Sequence, residues 1–147
     1  MSFIGITDEI INNVITDKQS AVCYPNLNKY FRRNITQWKY ESMKQCNYKC
    51  IVTNQRFEVI HHLYSFNNIF EEFIQLYHIE KDIDVDSIPF EDRQVLLKNF
   101  SDLHNQYGLG VCLSENIHKK FHQEYGFGNN TPEQFYNFLK QYNNTNC

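Results

Sequence analysis

The 147 residues are the size of one domain. With 41% hydrophobic and 16% aromatic side chains, including 12 Phe and 10 Tyr, the composition excludes a chain too polar to build a core. A formal charge of −3 argues against a uniformly basic nucleic-acid binder, because phosphate affinity comes largely from Lys and Arg.

The charge is nonetheless polarised. Lys29, Arg32, Arg33, Lys39, Lys44 and Lys49 stand against Glu41 alone, whereas between Glu71 and Asp102 nine acidic residues face only Lys81, Arg93 and Lys98. No stretch reaches the roughly 18 to 20 apolar residues that span a bilayer, so no membrane partner is expected. Met1 to Glu9 lacks a basic region followed by an apolar one. A soluble, intracellular, cytoplasmic protein is expected, and phage or virus coding is compatible with that. The five cysteines, Cys23, Cys46, Cys50, Cys112 and Cys147, are odd in number and form no Cys-x-x-Cys, so they are read as reduced thiols.

In chain order, Met1 to Cys23 suits either a short helix over Glu9 to Ile15 or an edge strand. A helix is expected over Ile35 to Met43, anchored by Trp38. Lys49–Thr53 and Phe57–His61 are two β-branched or aromatic runs around Asn54-Gln55-Arg56, which reads as a hairpin ending at His61 and His62. Ile69, Phe70, Phe73, Ile74 and Tyr77 recur at helical steps over Asn68–His78. After a polar loop, Pro89 opens a helix whose stripe is Val95, Leu96, Phe100, Leu103 and Tyr107, stopping near Gly108. Val111–Leu113 is a short strand. Ser114 caps a helix over Glu115–Tyr125 that Gly126 stops. Thr131, Pro132 and Gln134 make a capping box for a last helix whose buried face is Phe135, Phe138, Leu139 and Tyr142.

Four of six histidines fall into two groups, His61 with His62 and His118 with His122. Residues four apart share a helix face, so His118 and His122 can address one ion. Taken alone, His-x-x-x-His is a weak signal. Neighbours on a regular strand point to opposite faces, and at a strand end one can ligate while the other addresses a water. The bland alternative is one core histidine and one exposed.

The order of these segments resembles the HNH, or His-Me finger, nucleases. The matching residues are Cys50-Ile51-Val52-Thr53-Asn54, Glu58-Val59-Ile60-His61-His62-Leu63, Gly110 to His118, and Phe121-His122, followed by Tyr125-Gly126-Phe127-Gly128-Asn129-Asn130-Thr131. The likeness spans roughly 49–138 and is nearest to small phage-type and homing-type members. It implies an α+β chain with a ββα-metal core and additional flanking helices. The division expected of the single domain is a basic N-terminal extension over 1–45, a core over 46–126 with a helical insertion at 67–108, and a C-terminal helix over 131–143. The implied activity is metal-dependent hydrolysis of DNA phosphodiesters. His62 would be the general base, and His61, His118 and His122 would hold a divalent ion, magnesium or manganese by function, with zinc or nickel also suited to imidazole ligands.

Three departures from the family pattern stand out. Its middle Asn falls on Leu109, which cannot orient a base, and His104 and Asn105 are the nearest replacements. The connection from His62 to Gly110 is long. The second Cys-x-x-Cys of a structural zinc is replaced by Ser114 and Ile117, so Cys46 and Cys50 are read as structural thiols.

Arg32, Arg33, Lys39, Lys44, Lys119 and Lys120 are the candidate phosphate contacts. His78 is read as exposed or helix-terminal, and Asn129 and Asn130 as turn residues. The rival classes are a non-catalytic metal-stabilised DNA-binding module and a toxin-type nuclease acting on RNA or without sequence preference. Because one active site makes one nick, double-strand cleavage would imply a homodimer.

Overall fold

The computed structural model describes residues 26–145. The helix or strand expected over Glu9–Ile15, together with Cys23 and Cys147, lies outside the described residues. Among the described residues the chain is α+β, with six α-helices, one 3-10 turn and a two-stranded antiparallel sheet.

Helices α1 (Leu27–Arg33) and α2 (Thr36–Gln45) come first. The Asn26 side chain accepts the Lys29 amide and caps α1. Both helices contribute to the core. Leu27, Tyr30, Phe31, Ile35 and Trp38 are buried in the larger of two apolar clusters. Phe31 stacks on Phe100 at 4.4 Å and meets Phe73 edge-on at 5.3 Å.

The expected hairpin between 49–53 and 57–61 is not formed. Cys50 N–H donates to the Gln55 carbonyl and Asn54 N–H to that of Cys50, a tight loop leaving only one bridge, Lys49 to Arg56. Strand β1 (Val59–His61) pairs instead with β2 (Val111–Leu113), in the register Val59–Leu113, Ile60–Cys112, His61–Val111. The reason is burial. Two short strands that pack helices on both faces can remove far more apolar surface than a hairpin closed on an exposed turn.

Between the strands come α3 (Phe66–Leu76), a 3-10 turn (Val85–Ser87) and α4 (Phe90–Asn105). Ser65 Oγ accepts the Asn68 amide and starts α3, whose Phe66, Ile69, Phe70, Phe73 and Ile74 are all buried. Phe100, Leu103 and His104 form the buried stripe of α4, which is narrower than expected because Val95 is 59% exposed. After β2, Ser114 caps α5 (Glu115–Tyr125) and Gly126 ends it. The capping box at α6 (Pro132–Thr145) is formed: Gln134 N–H donates to Thr131 Oγ1, and Thr131 N–H to Gln134 Oε1.

Strand alternation sorts the sheet's side chains between the two clusters. Ile60 faces the larger cluster of α1 to α4, whereas Val59, Val111 and Leu113 face the smaller one, with Ile117, Phe121, Phe135 and Phe138 of α5 and α6. No described helix is long and apolar enough to cross a membrane.

Gly110 lets the layers close. A Cβ there would lie 2.7 Å from Trp38 Cη2 and 2.8 Å from both the His61 carbonyl oxygen and Ile60 Cγ2. Two of those neighbours are backbone or sheet atoms that cannot swing away. Gly110→Ala is therefore expected to cost about 1–3 kcal/mol of stability by overpacking. A urea titration should show a lower midpoint with an unchanged slope, and an unchanged midpoint would contradict the reading.

Candidate metal centre

His61 ends β1 on the face that meets α5. It is 3% exposed and packs edge-on against Phe121 at 4.7 Å. Its Nε2 is buried and has no hydrogen-bond partner, which carries a desolvation penalty unless an ion or a polar group satisfies it. Burial, then the nearby His118 and His122 imidazoles, pushes its pKa down to about 3.

His118 and His122 stand one turn apart on α5. The Gly126 carbonyl lies 2.8 Å from His122 Nδ1. A carbonyl only accepts, so Nδ1 carries the proton and Nε2 keeps its lone pair. That Nε2 lies 2.9 Å from His118 Nε2. Burial and His122 lower the His118 pKa to about 4. One ring nitrogen from each of His61, His118 and His122 lies within 4.8 Å of the other two. Tetrahedral zinc bonded at about 2.0–2.1 Å would space its nitrogens about 3.4 Å apart, so the group fits an ion after small side-chain adjustments. The Gly126 carbonyl holds the His122 ring in place, as an outer partner would for a ligating histidine.

His62, the next residue, turns to the other side. Its ring stacks on Trp38 at 4.1 Å, and its Nε2 lies 2.9 Å from His104 Nε2. Burial first, then the positive forms of His104 and Arg32, lowers its pKa to about 2. His104 is 1% exposed, and burial lowers it to about 4 against the opposing effect of the Asn105 side chain. Trp38 Nε1 donates to the Gly108 carbonyl, which fixes the indole under His62.

The three-histidine group and His62 open on one cavity of about 220 Å³, whose lining includes Arg32, His61, His62, His118, His122 and Phe127 but not His104. The Arg32 guanidinium lies over the Phe66 ring at 4.2 Å. Of the other candidate phosphate contacts, none lines this cavity. Arg33 and Lys44 are exposed, Lys39 Nζ donates to the Arg32 carbonyl, Lys119 pairs with Glu115 at 3.4 Å, and Lys120 lies 5.8 Å over the Tyr142 ring. Asn105 is exposed at the end of α4 and is also outside the cavity lining. His78 is exposed just past α3, Asn129 is exposed, and buried Asn130 donates to the Gly126 carbonyl at 3.0 Å.

Cys46, Cys50 and Cys112 are free thiols. Burial and the neighbouring cysteines push Cys112 up to about 12, which keeps it protonated. Trp38 and Phe127 carry no sequence signal for their places beside the histidines, apart from the two glycines that flank Phe127.

No family model, no curated protein and no solved structure matches the chain.

An ion that bound the folded chain alone would raise its stability. At a hundred times the dissociation constant the gain is about 2.7 kcal/mol, or about 5–10 °C in Tm for a chain of this size. Zinc or nickel is expected to give that shift in a thermal melt, and His118→Ala to abolish it. A shift that survives His118→Ala would place the ion elsewhere.

Proposed function

We propose that the chain is a metal-dependent endonuclease that hydrolyses DNA phosphodiester bonds, with β1, β2 and α5 as a ββα-metal core of the kind the HNH nucleases have. The observation that carries this reading is the division of the two adjacent histidines across one cavity. His61 joins His118 and His122 in a set able to hold an ion, and His62 sits outside that set, paired with His104.

His61, His118 and His122 would hold the divalent ion, which when bound neutralises charge developing on the scissile phosphate. His62 acts as general base. If its Nε2–H donates to His104 Nε2, its Nδ1 keeps the lone pair and takes a proton from water. The water oxygen then bonds to phosphorus, the P–O bond to the leaving sugar oxygen breaks, and that oxygen keeps the electron pair and takes a proton from solvent water. His104 thereby supplies the acceptor that the family's middle Asn provides and Leu109 lacks. Arg32 contributes a cation at the cavity edge for a flanking phosphate.

The rival reading, a metal-stabilised binding module, draws on the burial of His62 against Trp38, which would serve packing equally well. Incubating supercoiled plasmid with the purified chain and magnesium, manganese or zinc separates the two. Nicking that chelator abolishes and His118→Ala removes is the expected result. Intact plasmid and intact RNA under every metal would leave the binding module.

A further inference from the structure

We infer that Phe127 is a stacking platform for an unpaired nucleobase, so that the substrate is single-stranded or locally unpaired nucleic acid; this rests on the reading that the cavity takes a phosphodiester. Phe127 is 79% exposed although it lines the histidine cavity. One face lies on the His122 ring, 4.1 Å away and 14° from parallel, and so high an exposure leaves the other face open. An aromatic ring held half-covered at the mouth of a polar site has an unused planar surface, and every base has a π-face to match it.

The ring is presented on a pinned loop. Gly126 and Gly128 on either side have φ of 76° and 93°, a region that favours glycine, so backbone conformation lifts Phe127 away from the core. Their carbonyls are tied down by side chains, from another segment at Gly128 and from the same loop at Gly126. Ser65 Oγ and Asn67 Nδ2 donate to the Gly128 carbonyl, and Asn130 Nδ2 to that of Gly126. A collapsed apolar residue would need no such fixing. Arg32, held over Phe66, lies on the same cavity, so a flat surface for a base and a cation for the adjoining phosphate line one opening. Inside a duplex both faces of a base are covered by its neighbours. Only a base that is unpaired, frayed or turned out can lie on Phe127.

The test is equilibrium binding of a fluorescein-labelled single-stranded oligothymidylate and of a blunt duplex of equal length. The full chain is loaded with zinc and carries His62→Ala to block turnover, with and without Phe127→Ala or Phe127→Trp. The single strand should bind more tightly than the duplex. Phe127→Ala should weaken the single strand about tenfold and leave the duplex unchanged, with Phe127→Trp restoring affinity. Zinc affinity, read from the thermal shift of the same variants, should not move. Equal binding of strand and duplex, no loss in Phe127→Ala, or a loss that tracks zinc affinity would overturn the inference, the last because Phe127 would then act only by orienting His122. Plasmid cleavage is read separately, so a chain that stacks bases without cutting rejects the nuclease reading and keeps this one.

Discussion

Lowering the pH from 7 to 5 is expected to destabilise the metal-free protein. His61, His62, His104 and His118 are all held below the ordinary imidazole value, at about 3, 2, 4 and 4, and burial is the largest cause in each. In the unfolded chain they titrate near 6.5. Between about 6.5 and 4 the unfolded state therefore binds protons that the folded state refuses. Stability rises with pH across that window, is fully present above it, and is lost as pH falls through it. Each such group costs about 1.36 kcal/mol per pH unit, hence about 2 kcal/mol at pH 5. Even half of that summed over four groups is about 4 kcal/mol, a large part of a total stability of about 5–15 kcal/mol. Urea titrations at pH 7, 6 and 5, followed by fluorescence of Trp38, should show the midpoint falling steeply below pH 6.5. A midpoint flat from 7 to 5 would mean that the imidazoles are not held neutral by the fold.

Local chemistry was the legible part of this chain. Ser114, Gly126, Thr131 and Gln134 mark helix ends through bonds to backbone groups within four residues, so short-range pattern sufficed for α5 and α6. The shared face of His118 and His122 follows from helical spacing in the same way. Strand pairing was another matter. The hairpin expected from nearby runs gave way to a pairing between Val59–His61 and Val111–Leu113, because the partner is chosen by burial between two helical layers rather than by turn chemistry. The same long-range packing set α1 and α2 into the core, of which the sequence singles out only the Trp38 anchor. It also put Trp38 under His62 and Phe127 over His122, contacts that no spacing encodes. Lys119, a candidate phosphate contact by its basic character, also pairs with Glu115 one turn earlier, a helical spacing visible in the sequence.

His62→Ala is expected to lower cleavage by about 10²–10⁴-fold, the usual contribution of a general base, while leaving the zinc-induced thermal shift in place. The imidazole of His62 is absent from the set that can hold an ion, so base and ligands should separate in a single pair of measurements. The behaviour of His104 then decides how that base is oriented. The 2.9 Å contact between the two Nε2 atoms works only if one nitrogen donates and the other accepts. When His62 donates, its Nδ1 is free to take a proton; when His104 donates, Nδ1 is already occupied and the base is lost. His104→Gln keeps an oxygen acceptor at similar reach and should retain activity within about tenfold, whereas His104→Leu fills the space without an acceptor and should lose nearly as much kcat as His62→Ala. A positioning role further requires that the double variant His62→Ala with His104→Leu be no worse than His62→Ala alone, since His104 would act only through His62. Additive losses would instead give His104 an independent part in the fold or the chemistry, and an active His104→Leu protein with wild-type kcat would remove the pair from the mechanism altogether.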